Sequence, residues 1–153
     1  MAISVSYDNI FSEFFLSVDD WDITSLSDDV VNEMLVGFLH SAVSEPYISK
    51  IFSEFEIDDE NASISFELRH ARSDSNDTMF VVKVLALGMA IRWLDPQISS
   101  TRNTQQVFSN SESKFYSQKE QLMGLISLQQ KKEHELRKYI RDYGYAYNSY
   151  LEE

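Results

Sequence analysis

The stretch Glu112-Ser-Lys-Phe-Tyr-Ser-Gln-Lys-Glu-Gln-Leu-Met-Gly-Leu-Ile-Ser-Leu-Gln-Gln-Lys-Lys-Glu-His-Glu-Leu-Arg-Lys-Tyr-Ile-Arg-Asp142, followed by Tyr143-Gly-Tyr-Ala-Tyr-Asn-Ser-Tyr150, decides how this chain is read. Residues 115, 122, 129, 136 and 143 share one heptad position and read Phe, Leu, Gln, Leu and Tyr, with Ile126 and Ile140 on the same side. That is one long helix, spanning on the order of 45 Å, more than a small domain needs for its own core. The seam is apolar at both ends and polar around Gln129, Gln130 and Glu133, which suits one end docking on its own domain and the other on a partner. Arg137, Lys138 and Arg141 oppose the negative helix end, and Gly144 suits the position just past it. Tyr145, Tyr147 and Tyr150 then alternate at strand spacing, as an exposed tail for a partner; tyrosine covers interface area at low entropic cost.

Working back from there, Asp77 to Leu94 is nearly continuous in apolar residues and too long for a strand, so it reads as a buried helix capped by Asp77 and stopped by Asp95-Pro96. Gly88 in its middle costs about 1 kcal/mol against alanine, which a close helix crossing would explain. Residues 97–111, rich in Ser, Thr, Asn and Gln, read as a loop or hinge that could bind a partner.

The front of the chain is expected to hold three helices. Tyr7 to Val18 places Tyr7, Ile10, Phe11, Phe14, Phe15 and Val18 at helical spacing and ends at Asp19-Asp-Trp-Asp22. Asp28 to Val43 follows a Ser27 cap, with Leu26 stapling onto Val31, and has enough apolar positions to be largely buried. Pro46 opens a third, continued by Tyr47, Ile48, Ile51, Phe52 and Phe55. After a turn at 58–62, Ile64, Phe66 and Leu68 alternate with Ser65, Glu67 and Arg69 as one strand, which is either an extended loop or pairs with a neighbouring subunit. The expected fold is therefore mainly α: a small helical core domain over residues 1–111, and a long C-terminal helix with an extended aromatic tail over 112–153 for assembly.

With 153 residues, 43% of them hydrophobic, the chain suits one domain with a real core. It has no cysteine, which removes disulfides and thiolate chemistry. No apolar run approaches a membrane span and the first residues do not resemble a leader, so a soluble, unexported chain is expected, and the sequons at Asn61 and Asn76 carry no weight. Net charge is −12 but unevenly placed: residues 1–70 carry 15 acids against Lys50 and Arg69, a balance of −13, and residues 71–153 carry 10 acids against 11 bases, a balance of +1. Such a front half suits solvation, a basic partner or a wall that DNA slides past, and not phosphate binding. His40, His70 and His134 form no zinc pattern, the acidic runs lack a calcium-loop spacing, and there is neither a phosphate-cradling glycine loop nor a G-x-S-x-G nucleophile. No enzyme activity, metal or other cofactor is expected.

Tyr7-Asp-Asn-Ile-Phe-Ser-Glu-Phe-Phe-Leu16, Leu39-His-Ser-Ala-Val-Ser-Glu-Pro-Tyr47, Leu87-Gly-Met-Ala-Ile-Arg-Trp-Leu-Asp-Pro96, Lys114-Phe-Tyr-Ser-Gln118 with Leu122, and Leu136-Arg-Lys-Tyr-Ile-Arg-Asp-Tyr143 together resemble the small head-to-tail connector, or neck, proteins of long-tailed bacteriophages, in order and spacing across nearly the whole chain. The resemblance implies a virion protein, assembled in the host cytoplasm as a homo-oligomeric ring beneath the portal. It would join the portal to a downstream neck or tail protein, with DNA passing through without specific binding and no membrane involved. Phe115, Tyr116, Tyr139, Tyr143, Tyr145, Tyr147 and Tyr150 are the candidate partner-binding residues. An acidic DNA-mimic inhibitor and a helical scaffold or regulatory partner are the alternatives.

Overall fold

The computed structural model describes the backbone of residues 2–18, 28–107 and 112–145, and the side chains of 2–18, 29–101 and 119–145. In chain order the elements are β1 (Ile3–Ser6), α1 (Tyr7–Ser17), α2 (Asp28–Val43), α3 (Pro46–Ser49), β2 (Phe52–Asp58), β3 (Ser63–Leu68), α4 (Asp74–Val107) and α5 (Glu112–Asp142). The fold is mainly α, with one small antiparallel sheet of order β1-β3-β2. The turn expected at residues 19–22, the Ser27 cap and the Leu26 staple lie outside the described residues.

α4 is the central helix. Phe80, Val81, Val84 to Ile91, Trp93 and Leu94 are buried on all sides of it, because α1, α2, α5 and the inner face of the sheet all pack around it. Gly88 is where α2 and α3 come closest: a Cβ there would lie 2.8 Å from Ile48 Cδ1 and 3.0 Å from Ala42 Cβ. The close crossing expected from the sequence is therefore present. α4 starts three residues earlier than Asp77, with the Ser73 hydroxyl accepting from the Asn76 amide at 3.3 Å. Asp77 is instead buried in the first turn, its carboxylate reaching back to the Arg72 amide at 3.1 Å.

The helix does not stop at Pro96. It runs on to Val107, so residues 97–107 are helical rather than a loop. A proline inside a helix costs about 3 kcal/mol, and here tertiary contacts outweigh it. Ile98 and Thr101 are buried on one face, and Gln129 from α5 donates to the Ile91 carbonyl at 3.0 Å and to Asp95 at 2.7 Å. The polar middle of the α5 seam is thus a hydrogen-bonding station opposite the proline turn.

Three front-half expectations change. β3 has partners on both sides within the chain, β1 and β2, so it is neither an extended loop nor a strand waiting for a neighbouring subunit. The third helix is only Pro46–Ser49, and β2 follows it. A β-bulge explains the misreading: one extra residue between Phe52 and Glu54 returns Phe55 to the face of Phe52, so the two rings meet at 4.8 Å with a spacing of three that mimics a helix. The bulged Ser53 donates to the Glu67 carbonyl at 3.1 Å. Finally, α2 is not largely buried: Leu35, Leu39 and Ala42 form a narrow inner stripe, while Val30 is exposed.

Candidate functional site

The candidate tyrosines divide at the end of α5. Gly144, at φ 107°, turns the chain: its amide donates to the Arg141 carbonyl at 3.0 Å and the Tyr145 amide to the Ile140 carbonyl at 3.2 Å, the paired bonds of a Schellman cap. That turn folds Tyr145 back onto the molecule. It is 7% exposed, its hydroxyl accepting from the His70 amide at 2.9 Å, so the expected exposed tail does not begin there. Tyr143 stacks on Phe80 at 3.9 Å, Tyr139 sits 5.5 Å from the same ring, and the Tyr143 hydroxyl donates to Asp77. The Arg72 guanidinium lies 4.3 Å over the Tyr143 ring and donates to the Tyr143 carbonyl at 3.2 Å. Burial, then the Asp77 carboxylate, pushes the Tyr143 phenol well above its ordinary pKa, and burial raises Tyr145. In the free chain these three rings fasten α5 to the start of α4. Phe115, Tyr116, Tyr147 and Tyr150 lie outside the described side chains.

The same turn opens a groove of about 470 Å³, lined by Tyr47, Lys50, Arg137, Ile140, Arg141 and Tyr145. Pro46 starts α3 on one wall, and Arg137 and Arg141, four residues apart on one face of α5, form the other. The Arg137 guanidinium lies 5.3 Å from the Tyr47 ring. Burial raises the Tyr47 phenol, so Tyr47 and Tyr145 are both neutral hydroxyls at physiological pH. Three cations and two phenols line a concave, partly apolar site, with Glu45 and Glu133 near Tyr47, an arrangement whose guanidinium and hydroxyl donors can meet a carboxylate. In the sequence, Arg137 and Arg141 read only as helix-end charges, and nothing there linked them to Tyr47 and Lys50.

At the other end of the β2–β3 hairpin the charge reverses. Asp58 accepts from the Asn61 amide at 3.1 Å and the Asn61 side chain at 2.7 Å, which holds its pKa below the usual carboxylate range. Asp59 accepts from Tyr7 and pairs with His40 at 3.0 Å, and its pKa is lowered first by the Tyr7 hydroxyl. The Tyr7 amide, an orphan donor of α1, is met by the Ala62 carbonyl at 2.8 Å, with Ala62 in the left-handed region at φ 51°. Glu54, Glu56 and Asp58 lie exposed along one face of β2, with Phe55 and Ile57 turned the other way. Lys50 precedes β2 and His70 follows β3, so groove and acidic tip are separated by the hairpin's length, roughly 20 Å.

A third surface is the outer end of the α4–α5 hairpin. The two helices are antiparallel, since Phe80 meets Tyr139 and Ile91 meets Gln129. Among the described side chains beyond Asp95, the facing seam is covered, with Ile98 and Thr101 buried and Leu122, Leu125 and Ile126 half-buried, while Ser99, Ser100, Met123, Gly124, Ser127 and Leu128 are exposed. This is a two-helix arm with apolar side chains in solvent.

Among the described residues no group of three or more His, Cys, Asp or Glu is arranged to hold a metal ion, and no helix is long and apolar enough to cross a membrane. No family model, curated protein or solved structure matches this chain.

Proposed function

We propose that this chain is a structural subunit of a tailed-phage particle, one copy of a head-to-tail connector ring that joins the portal to the next neck or tail protein and leaves a channel for DNA. The observation that carries this reading is the two-helix arm. Met123 and Leu128, 59% and 39% exposed, sit on an element whose other end is locked into the core. An arm bearing exposed apolar residues suits insertion between neighbouring proteins. The sequence resemblance supplies the identity of those neighbours, and the front-half balance of −13 suits a surface past which DNA slides without adhering. The role is architectural: the core keeps its shape, the arm reaches the portal, and the chain's other surfaces meet its copies.

The copies of this chain per gradient-purified particle, counted by quantitative mass spectrometry, test the proposal. A fixed low number, the same from particle to particle, is expected of one closed ring. Absence from particles would end it.

One observation favours a second reading. The carboxylates of Glu54, Glu56 and Asp58 recur every second residue along β2, roughly 7 Å apart, a spacing that imitates a phosphate row. An inhibitor of that kind would bind a basic nucleic-acid enzyme with steep salt dependence, and would keep its activity when residues 144–153 are deleted. A connector with that deletion would lose Tyr145 from the Phe80 stack and from the groove wall, and would fail to join its assembly.

A further inference from the structure

The molecule carries complementary surfaces at opposite ends of one rigid hairpin. At one end, Lys50, Arg137 and Arg141 ring a groove floored by Ile140 and flanked by Tyr47 and Tyr145. Among the described residues neither Arg137 nor Arg141 has a carboxylate partner; Arg137 instead faces the Tyr47 ring. At the other end the β2–β3 turn projects Asp58, Asp59 and Glu60, with Glu56 beside them on the outer face of the sheet. Because one hairpin separates them, a chain cannot bring its own tip into its own groove. A second copy can.

We infer that the basic groove is the docking site for the acidic β2–β3 turn of a neighbouring copy of this chain. Shape favours the turn over the flat sheet face, since a convex turn enters a concave groove and a sheet face does not. Charge favours it over an apolar segment, because three cations surround the entrance. The contact joins two different patches, so it is heterologous: each copy offers a groove to one neighbour and a tip to the other. Repeated with a constant rotation that divides a full turn, it closes a ring. The inference rests on the ring reading proposed above and specifies which surfaces make the ring.

Two of the tip carboxylates also hold the turn together, Asp58 through Asn61 and Asp59 through Tyr7 and His40, so the test leaves them in place. The groove variant is Arg137→Glu/Arg141→Glu and the tip variant is Glu56→Lys/Glu60→Lys, each made in the full chain and checked for fold by circular dichroism. Self-association is followed by sedimentation over protein concentration and salt. The wild-type chain is expected to associate, more weakly as salt rises. Each variant alone is expected to associate at least about tenfold more weakly. An equimolar mixture is expected to recover assembly with the two variants alternating, because acidic tips then meet basic grooves and basic tips meet acidic ones.

A wild-type chain that remains monomeric would overturn the inference, as would variants that associate normally. Loss in the groove variant without loss in the tip variant, and without rescue on mixing, would also overturn it; that pattern assigns the groove to another acidic segment, such as the chain end at Glu152 and Glu153. A groove variant that self-associates yet no longer enters particles would overturn it in favour of a different particle protein. The copy count in particles is independent of all these outcomes, so failure of the tip-and-groove contact and failure of the connector reading are told apart.

Discussion

α4 and α5 are two helices of nearly equal length, 34 and 31 residues, with opposite fates. Between Phe80 and Leu94, α4 is enclosed on almost every side, with side chains from three helices and the sheet filling the space around it. Among its described side chains, from Lys119 on, α5 is fully buried only at Leu136 and Ile140, near its C-terminal end. The difference follows from apolar density: a helix apolar all round must be surrounded, whereas one with a single stripe needs one neighbour. It also separates two tasks. Residues on α4 hold the fold, while on α5 Leu122, Leu125 and Ile126 face the seam and Met123 and Leu128 face solvent.

The largest effect expected from that division is alkaline loss of the fold. Tyr7, Tyr47, Tyr143 and Tyr145 all have phenol pKa values raised in the folded chain, with burial the leading cause, and the carboxylates of Asp59 and Asp77 raise Tyr7 and Tyr143 further. A group raised on folding contributes its full stability below its unfolded value, about 10 for tyrosine, and loses it as pH climbs through the folded value. Urea midpoints should therefore hold steady to about pH 10 and fall steeply above it. A midpoint unchanged to pH 11.5 would mean that the end of α5 is not fastened to α4 through Tyr143 and Tyr145.

Phe80→Ala comes next. It removes the ring on which Tyr139, Tyr143 and Tyr145 all pack, and should cost about 3–5 kcal/mol in chemical denaturation. A cost below about 1 kcal/mol would erase the contrast between the helices, since the fully buried side of α4 would prove dispensable. Gly88→Ala is smaller. The added methyl meets Ile48 Cδ1 at 2.8 Å, which can swing away, and Ala42 Cβ at 3.0 Å, which cannot without moving α2. Against a gain of about 1 kcal/mol in helix propensity, a net loss of about 1–2 kcal/mol is expected. A stabilised variant would show that the crossing at Gly88 has room to spare.

Much of this was legible in the sequence, and the misses share a cause. The apolar run through Phe80 and Trp93 and the heptads of α5 announce themselves by periodicity, Gly88 by its cost in the middle of a helix, and Gly144 by its place just past a helix end. Pro96 misled because a local rule was applied where Ile98, Thr101 and Gln129 supply tertiary compensation. β2 misled because a bulge gives Phe52 and Phe55 the spacing of a helix, and without β2 the central strand looked unpaired. β1 is four residues, too short for alternation to stand out. The groove was illegible in principle: Lys50 and Tyr47 come from the front of the chain and Arg137 and Arg141 from the back, and only the Schellman turn at Gly144 brings Tyr145 between them. The tyrosines of the α5 terminus were recognised as contact residues, but the described ones find their contacts within the chain.

The most direct test of the central claim is to place charge on the free half of α5 and read stability and assembly separately. In Met123→Glu/Leu128→Glu both side chains change in solvent, so denaturation should shift by no more than about 0.5 kcal/mol per site. Incorporation into particles, measured by mass spectrometry after complementation with the variant, is predicted to fall to background while the purified chain stays folded. Normal incorporation of a normally stable variant would contradict the account, because the arm would then be surface that nothing touches.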